Sequence, residues 1–114
     1  MLYNETYFRR VNMSYQLYIG STEHSYTYNL RDLFEEIIQD TAHDTKGIYA
    51  FDSLTGYEAL PLIKQAFRKA NSHEDIKSFD APNGWGTANG ALLFLARFAI
   101  ECAMNPYETI NVTY

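Results

Sequence analysis

Apolar and polar positions alternate over residues 15–20, with Tyr15, Leu17 and Ile19 on one side and Gln16 and Tyr18 on the other. That period of two predicts a half-buried strand. The polar run GSTEH reads as a loop, and Ser25 to Tyr28 as the returning arm of a hairpin. The period then lengthens. Leu30, Leu33, Phe34, Ile37 and Ile38 recur at three and four residues and predict a helix over 30–42, with Asn29 as its N-cap and Asp32 in its first turn. Gly47 marks an end, and 48–51 (IYAF) a short strand or buried linker. Thr55 and Glu58 have the spacing of a capping box for a second helix through Ala70. Its buried face is Leu60, Ile63, Phe67 and Ala70, and Pro61 either ends a first turn or bends it. Ser72 and Asp75 mark one short capped turn, and DAPNGWG is the strongest turn signal in the chain. Thr87 caps a third helix that ends before Asn105-Pro106. This helix is apolar nearly all round and reads as the central one. Ile110, Val112 and Tyr114 alternate with polar residues and predict a last strand pairing with the first.

The predicted order is β-β-α-α-α-β. The fold class is therefore α+β: a small antiparallel or mixed sheet with helices on one face. The chain has 114 residues, enough for one domain. Regular pattern starts at Met13, so we divide the chain into an N-terminal extension or extra strand over 1–12 and a single domain over 13–114.

Composition narrows the function classes. Apolar residues make up 46% and charged residues 20% of the chain, which fits a folded domain. Net charge is -5, and from Asp32 to Glu58 seven carboxylates face Lys46 alone. No basic stripe is present, which argues against direct nucleic-acid binding. An acidic face fits a basic protein surface or plain solubility. The first twelve residues do not read as a signal peptide, and no apolar run is long enough to span a membrane. The N-x-[ST] triplets at Asn4, Asn12 and Asn111 then carry no meaning, and the expected compartment is the cytoplasm.

Candidate chemistry is sparse. Asp40, His43 and Asp44 would share one helix face and could hold a divalent metal, but they lack a fourth ligand. A solvated helix terminus explains them as well. His24 and His73 stand beside carboxylates in loops, where each is a general base only if a nucleophile meets it. Cys102 falls on the apolar face of the third helix and reads as a small core residue. The glycine-rich 82–90 segment, PNGWGTANG, matches neither a phosphate loop nor a dinucleotide fingerprint. Within it Trp85 either plugs the core or anchors a partner. No cofactor is expected.

From Met13 onward the chain resembles small accessory proteins encoded by bacteriophages and prophages. The likeness rests on the tyrosine-rich first strand, YNLRDLFEE, TGYEALPLI, NGWG followed by GALLFLARFAIEC, and NPYETINV. It implies a viral origin, the cytoplasm of a host cell and action on a host factor, and it assigns no catalytic residue. The expectation is a non-enzymatic, protein-binding module that meets a basic partner through Glu35, Glu36, Asp40, Trp85 and Tyr18, with self-association left open. The alternative is a small enzyme or a ligand- or metal-binding domain built on the His/Asp clusters.

Overall fold

The computed structural model describes residues 14–82 and 84–113. The expected extension over 1–12, the Asn83 turn position and Tyr114 lie outside the described residues.

Strands β1 (Ser14–Ile19) and β2 (Thr22–Thr27) form an antiparallel hairpin, with Ile19 opposite Thr22. The predicted five-residue loop is only Gly20-Ser21. Gly20 takes a φ of 58°, as glycine can at the first position of a two-residue turn, and the Thr22 hydroxyl donates to the Ile19 carbonyl at 2.9 Å. The return arm therefore starts at Thr22 rather than Ser25. The other side of β1 pairs antiparallel with β5 (Asn111–Thr113), so the sheet order is β2-β1-β5. Tyr15, Leu17 and Ile19 face the core, as their alternation predicted.

Helix α1 (Arg31–Ile37) is shorter than its apolar stripe predicted. Ile38 turns extended, and Gln39–Asp40 (β3) pairs with Thr45–Lys46 (β4) in a second, two-stranded hairpin. The Asp40 carboxylate explains the break. Its Oδ1 accepts the Ala42 N–H at 3.1 Å, a local bond that competes with continuing the helix. Asp44 takes a φ of 53° to close the turn. Asn29 is not the cap: the Thr27 hydroxyl accepts the Asn29 N–H and starts a 3-10 turn over Tyr28–Leu30, from which α1 grows.

Residues Ile48–Phe51 form a buried 3-10 turn. Helix α2 (Gly56–Ser72) opens with the predicted capping box and runs through Pro61. Its buried stripe is Gly56, Ala59, Ile63, Ala66 and Ala70, while Leu60 and Phe67 are half-buried. Close packing selects the small side: a Cβ at Gly56 would lie 2.5 Å from the carbonyl oxygens of both Cys102 and Asn105. A 3-10 turn over Ile76–Phe79 follows, where His73 Nδ1 accepts the Asp75 N–H and Ser72 bonds back to Lys69 instead of capping.

Helix α3 (Ala88–Met104) carries the predicted Thr87 cap, whose hydroxyl accepts the Gly90 N–H at 3.0 Å. It packs on α2 and on the β1–β2 hairpin, with Phe94 stacked on Tyr26 at 5.5 Å and Phe98 against Phe51 at 5.6 Å. It is not enclosed all round. Leu93, Ile100 and Met104 are 52, 60 and 72% exposed, and together they form an outward apolar row. Among the described residues no helix is long and apolar enough to cross a membrane.

Two candidate clefts of opposite charge

The polar residues singled out by the sequence go to separate places. Asp40, His43 and Asp44 sit in the β3–β4 hairpin, not on a helix face. His43 Nδ1 lies 2.7 Å from Asp40 Oδ2. That bond, His43's charge and the Ala42 N–H hold the Asp40 carboxyl below its ordinary range, while burial opposes them. Among the described residues no three His, Cys, Asp or Glu side chains converge as a metal site. The histidines stand apart from one another: His24 on β2, edge-on to Phe98 at 5.5 Å; His43 in the hairpin turn; His73 at the end of α2, edge-on to Phe79 at 5.5 Å. Cys102 is fully buried in α3, and burial pushes its thiol up to about 12.

Of the residues expected to meet a partner, Trp85 is 69% exposed, Tyr18 projects from the outer face of the sheet, and Glu36 is exposed on α1. Glu35 is committed within the fold. Its Oε2 takes the Arg31 Nε at 2.8 Å, and its side chain lies against Gly47. Asp40 is buried, with its carboxylate turned to its own hairpin. The acidic segment is thus not one face. Asp52 accepts the Val112 N–H, and Glu58 closes the cap of α2.

Two clefts gather charge instead. The first, about 350 Å³, lies between the start of α1 and the 78–82 segment. Asn29, Asp32, Ser78 and Asp80 supply its polar wall, and Phe79, Ala81 and Pro82 its accessible apolar part, with Leu33 fully buried at its base. Asp80 Oδ1 also accepts the Ala88 N–H at 2.7 Å, which ties this wall to the start of α3. The glycine-rich loop closes in beside it. The Asn29 Nδ2 donates to the Trp85 carbonyl at 3.2 Å, and Gly86, at φ 128°, leaves no room for a Cβ against Leu30 and Thr27.

The second cleft, about 370 Å³, runs between β2 and α3. His24, Ser25 and Tyr26 line one side and Gly90, Leu93, Phe94 and Arg97 the other. Tyr26 fixes the spacing of the two elements, since its hydroxyl donates to the Thr87 carbonyl and accepts the Thr87 N–H.

Asp80 and Arg97 were not singled out by sequence reasoning. Asp80 belongs to the DAPNGWG turn signal, and Arg97 is one of two charged residues in the apolar α3 stretch. No spacing rule links Asp32 to Asp80 or His24 to Arg97, because only the fold brings them together. Searches against family models, curated proteins and solved structures find no match to this chain.

Proposed function

We propose that the protein is a small interaction module, not a catalyst, and that its acidic cleft takes a lysine or arginine side chain from a partner protein. The observation that carries this reading is the meeting of Asp32 and Asp80, from distant parts of the chain, beside the accessible apolar surface of Phe79, Ala81 and Pro82. A long basic side chain matches both halves. Its methylenes cover the apolar part while its head reaches the carboxylates. Asn29 and Ser78 add polar contacts, and Asn29 also holds the Trp85 carbonyl of the adjoining loop. The resemblance to phage-encoded accessory proteins makes a host protein the natural partner class.

The test is titration of the full chain with a capped peptide bearing one central arginine, against the same peptide with glutamine. The arginine peptide binds more tightly, Asp32→Asn weakens it several-fold, and added salt erodes the difference. Asp80→Asn is the second variant, since asparagine keeps an oxygen for the Ala88 N–H. Equal binding of both peptides to wild type and variants, at every ionic strength, contradicts the proposal.

A further inference from the structure

The three-stranded sheet has two edges, and they are treated differently. On the β5 side the 52–55 segment occupies the edge. The Ser53 N–H donates to the Ile110 carbonyl at 2.9 Å, the Ile110 N–H to the Leu54 carbonyl at 2.7 Å, and the Val112 N–H to Asp52 Oδ1 at 2.9 Å. On the β2 side no chain pairs among the described residues. The two-residue turn makes Ile19 and Thr22 the closing hydrogen-bonded pair, so Thr22, His24 and Tyr26 bond toward β1. Glu23, Ser25 and Thr27 therefore aim their backbone N–H and C=O groups outward. An open edge of this kind is a template for another strand.

Helix α3 continues past that edge on the core side. Tyr26 meets it at Thr87 and Phe94, His24 meets Phe98, and Thr22 reaches Glu101. β2 and α3 therefore run antiparallel along most of β2. Leu93 and Arg97, both exposed and one helical turn apart, form the outer row of the α3 side of the groove. A strand added to β2 would lay every second side chain over this row. The geometry points to the β2–α3 groove as a docking site for an extended segment of a partner protein, held by strand addition and carrying a glutamate or aspartate opposite Arg97.

Charge selects this occupant. Among the described residues no carboxylate pairs with Arg97. Glu101, four residues on, is turned toward Thr22 and Asn105 instead. Glu23 lies on the opposite face of the sheet, because alternation puts it with Tyr18 and away from α3. An acidic side chain thus meets Arg97 and His24, while an apolar residue two positions away along the added strand covers Leu93. A second copy fits less well. Two β2 strands paired antiparallel about Ser25 would bring both Arg97 side chains to one level of the interface, since Arg97 lines the cleft at Ser25. The site does not depend on the acidic cleft, and failure of either leaves the other standing.

The experiment uses the ¹⁵N-labelled full chain and two capped pentapeptides, Val-Thr-Glu-Thr-Val, whose valines share the glutamate's face, and the same sequence with central lysine. The glutamate peptide slows amide exchange at Glu23, Ser25 and Thr27 and binds about tenfold more tightly than the lysine peptide. Arg97→Gln removes that preference. Ser25→Pro deletes one outward N–H without touching the β1 ladder, so it abolishes binding of both peptides while the hairpin signals persist. If that variant fails to fold, the Arg97→Gln comparison decides alone. Equal affinity for the two peptides, no binding of either, or binding indifferent to Ser25→Pro in a folded variant overturns the inference. So does edge protection already present in the free monomer, or a dimer that protects the same amides.

Discussion

The two clefts are nearly equal in size, about 350 and 370 Å³, and opposite in construction. The acidic one is assembled from a helix start and loops, and one of its carboxylates already serves the fold by accepting the Ala88 N–H. The β2–α3 groove is a seam between two regular elements, and its cation pairs with no described carboxylate. Sequence charge is therefore a poor guide to where the fold gathers charge into clefts. The most acidic stretch of the chain spends Glu35, Asp40, Asp52 and Glu58 on ion pairs, turns and caps. The carboxylate that completes the acidic cleft, Asp80, comes from outside that stretch.

Both clefts depend on α3, and the largest expected effect removes the support they share. Gly56→Ala places a Cβ against two backbone carbonyl oxygens at the α2–α3 contact. Backbone cannot give way as a side-chain tip can, so the cost is about 3 kcal/mol, read from denaturant unfolding. Neither cleft should be spared. Binding that stays intact in one while the other is lost would show that they rest on separate supports.

Two further glycines separate the clefts. Gly86→Ala forces an alanine into a φ of 128° and against Leu30 and Thr27, at a cost of about 2 kcal/mol. Its NMR shift changes should fall on Asn29, Trp85 and Asp32. Gly90→Ala meets the Tyr26 hydroxyl and pushes it off its two Thr87 bonds, while alanine gains helix propensity. The net cost is about 1 kcal/mol, with changes along β2 and α3. Shift changes from either substitution spread over both clefts would break the distinction.

A third test concerns a carboxylate used by the fold. Thr55→Ala removes the α2 cap and costs about 1 kcal/mol. The Thr55 N–H and hydroxyl hold the Glu58 carboxyl below its ordinary value of 4.5. A depressed carboxyl contributes stability that is present above the unfolded-state pKa and lost as pH falls through the folded one. Stability should therefore drop on acidification from about pH 4.5 downward, and Glu58→Gln should flatten that drop. The smallest effect compares neighbours. Glu36→Lys should change stability by under about 0.5 kcal/mol. Glu35→Lys should cost slightly more, because it places a second cation beside Arg31. Thermal melts of the two variants side by side check the difference.

Much of the fold is legible in the sequence. Alternation gives β1 and β5, the Thr55–Glu58 spacing gives the start of α2, and Thr87 gives the start of α3. The misreadings have local causes. A left-handed glycine shortens the first hairpin loop, and one aspartate diverts the chain out of α1 where the apolar stripe still runs. The α2 stripe was misplaced because hydrophobicity ranks leucine and phenylalanine above alanine, whereas close helix packing asks for the smaller residue. The clefts were hardly legible at all. Trp85 and Asp32 stood out, but which residues face them depends on how a loop docks on a helix start. The apolar row on α3 looked like core because an all-round apolar helix carries no mark of the side that lacks a neighbour.

The most direct measurement maps both peptides on one labelled sample. A capped peptide with central arginine should shift Asn29, Asp32, Ser78 and Asp80, and the central-glutamate strand peptide should shift Glu23, Ser25, Thr27 and Arg97. The two should bind together without competing. If both peptides shift the same residues, displace each other, or leave either cleft unperturbed, the account of two independent sites with opposite charge preference is wrong.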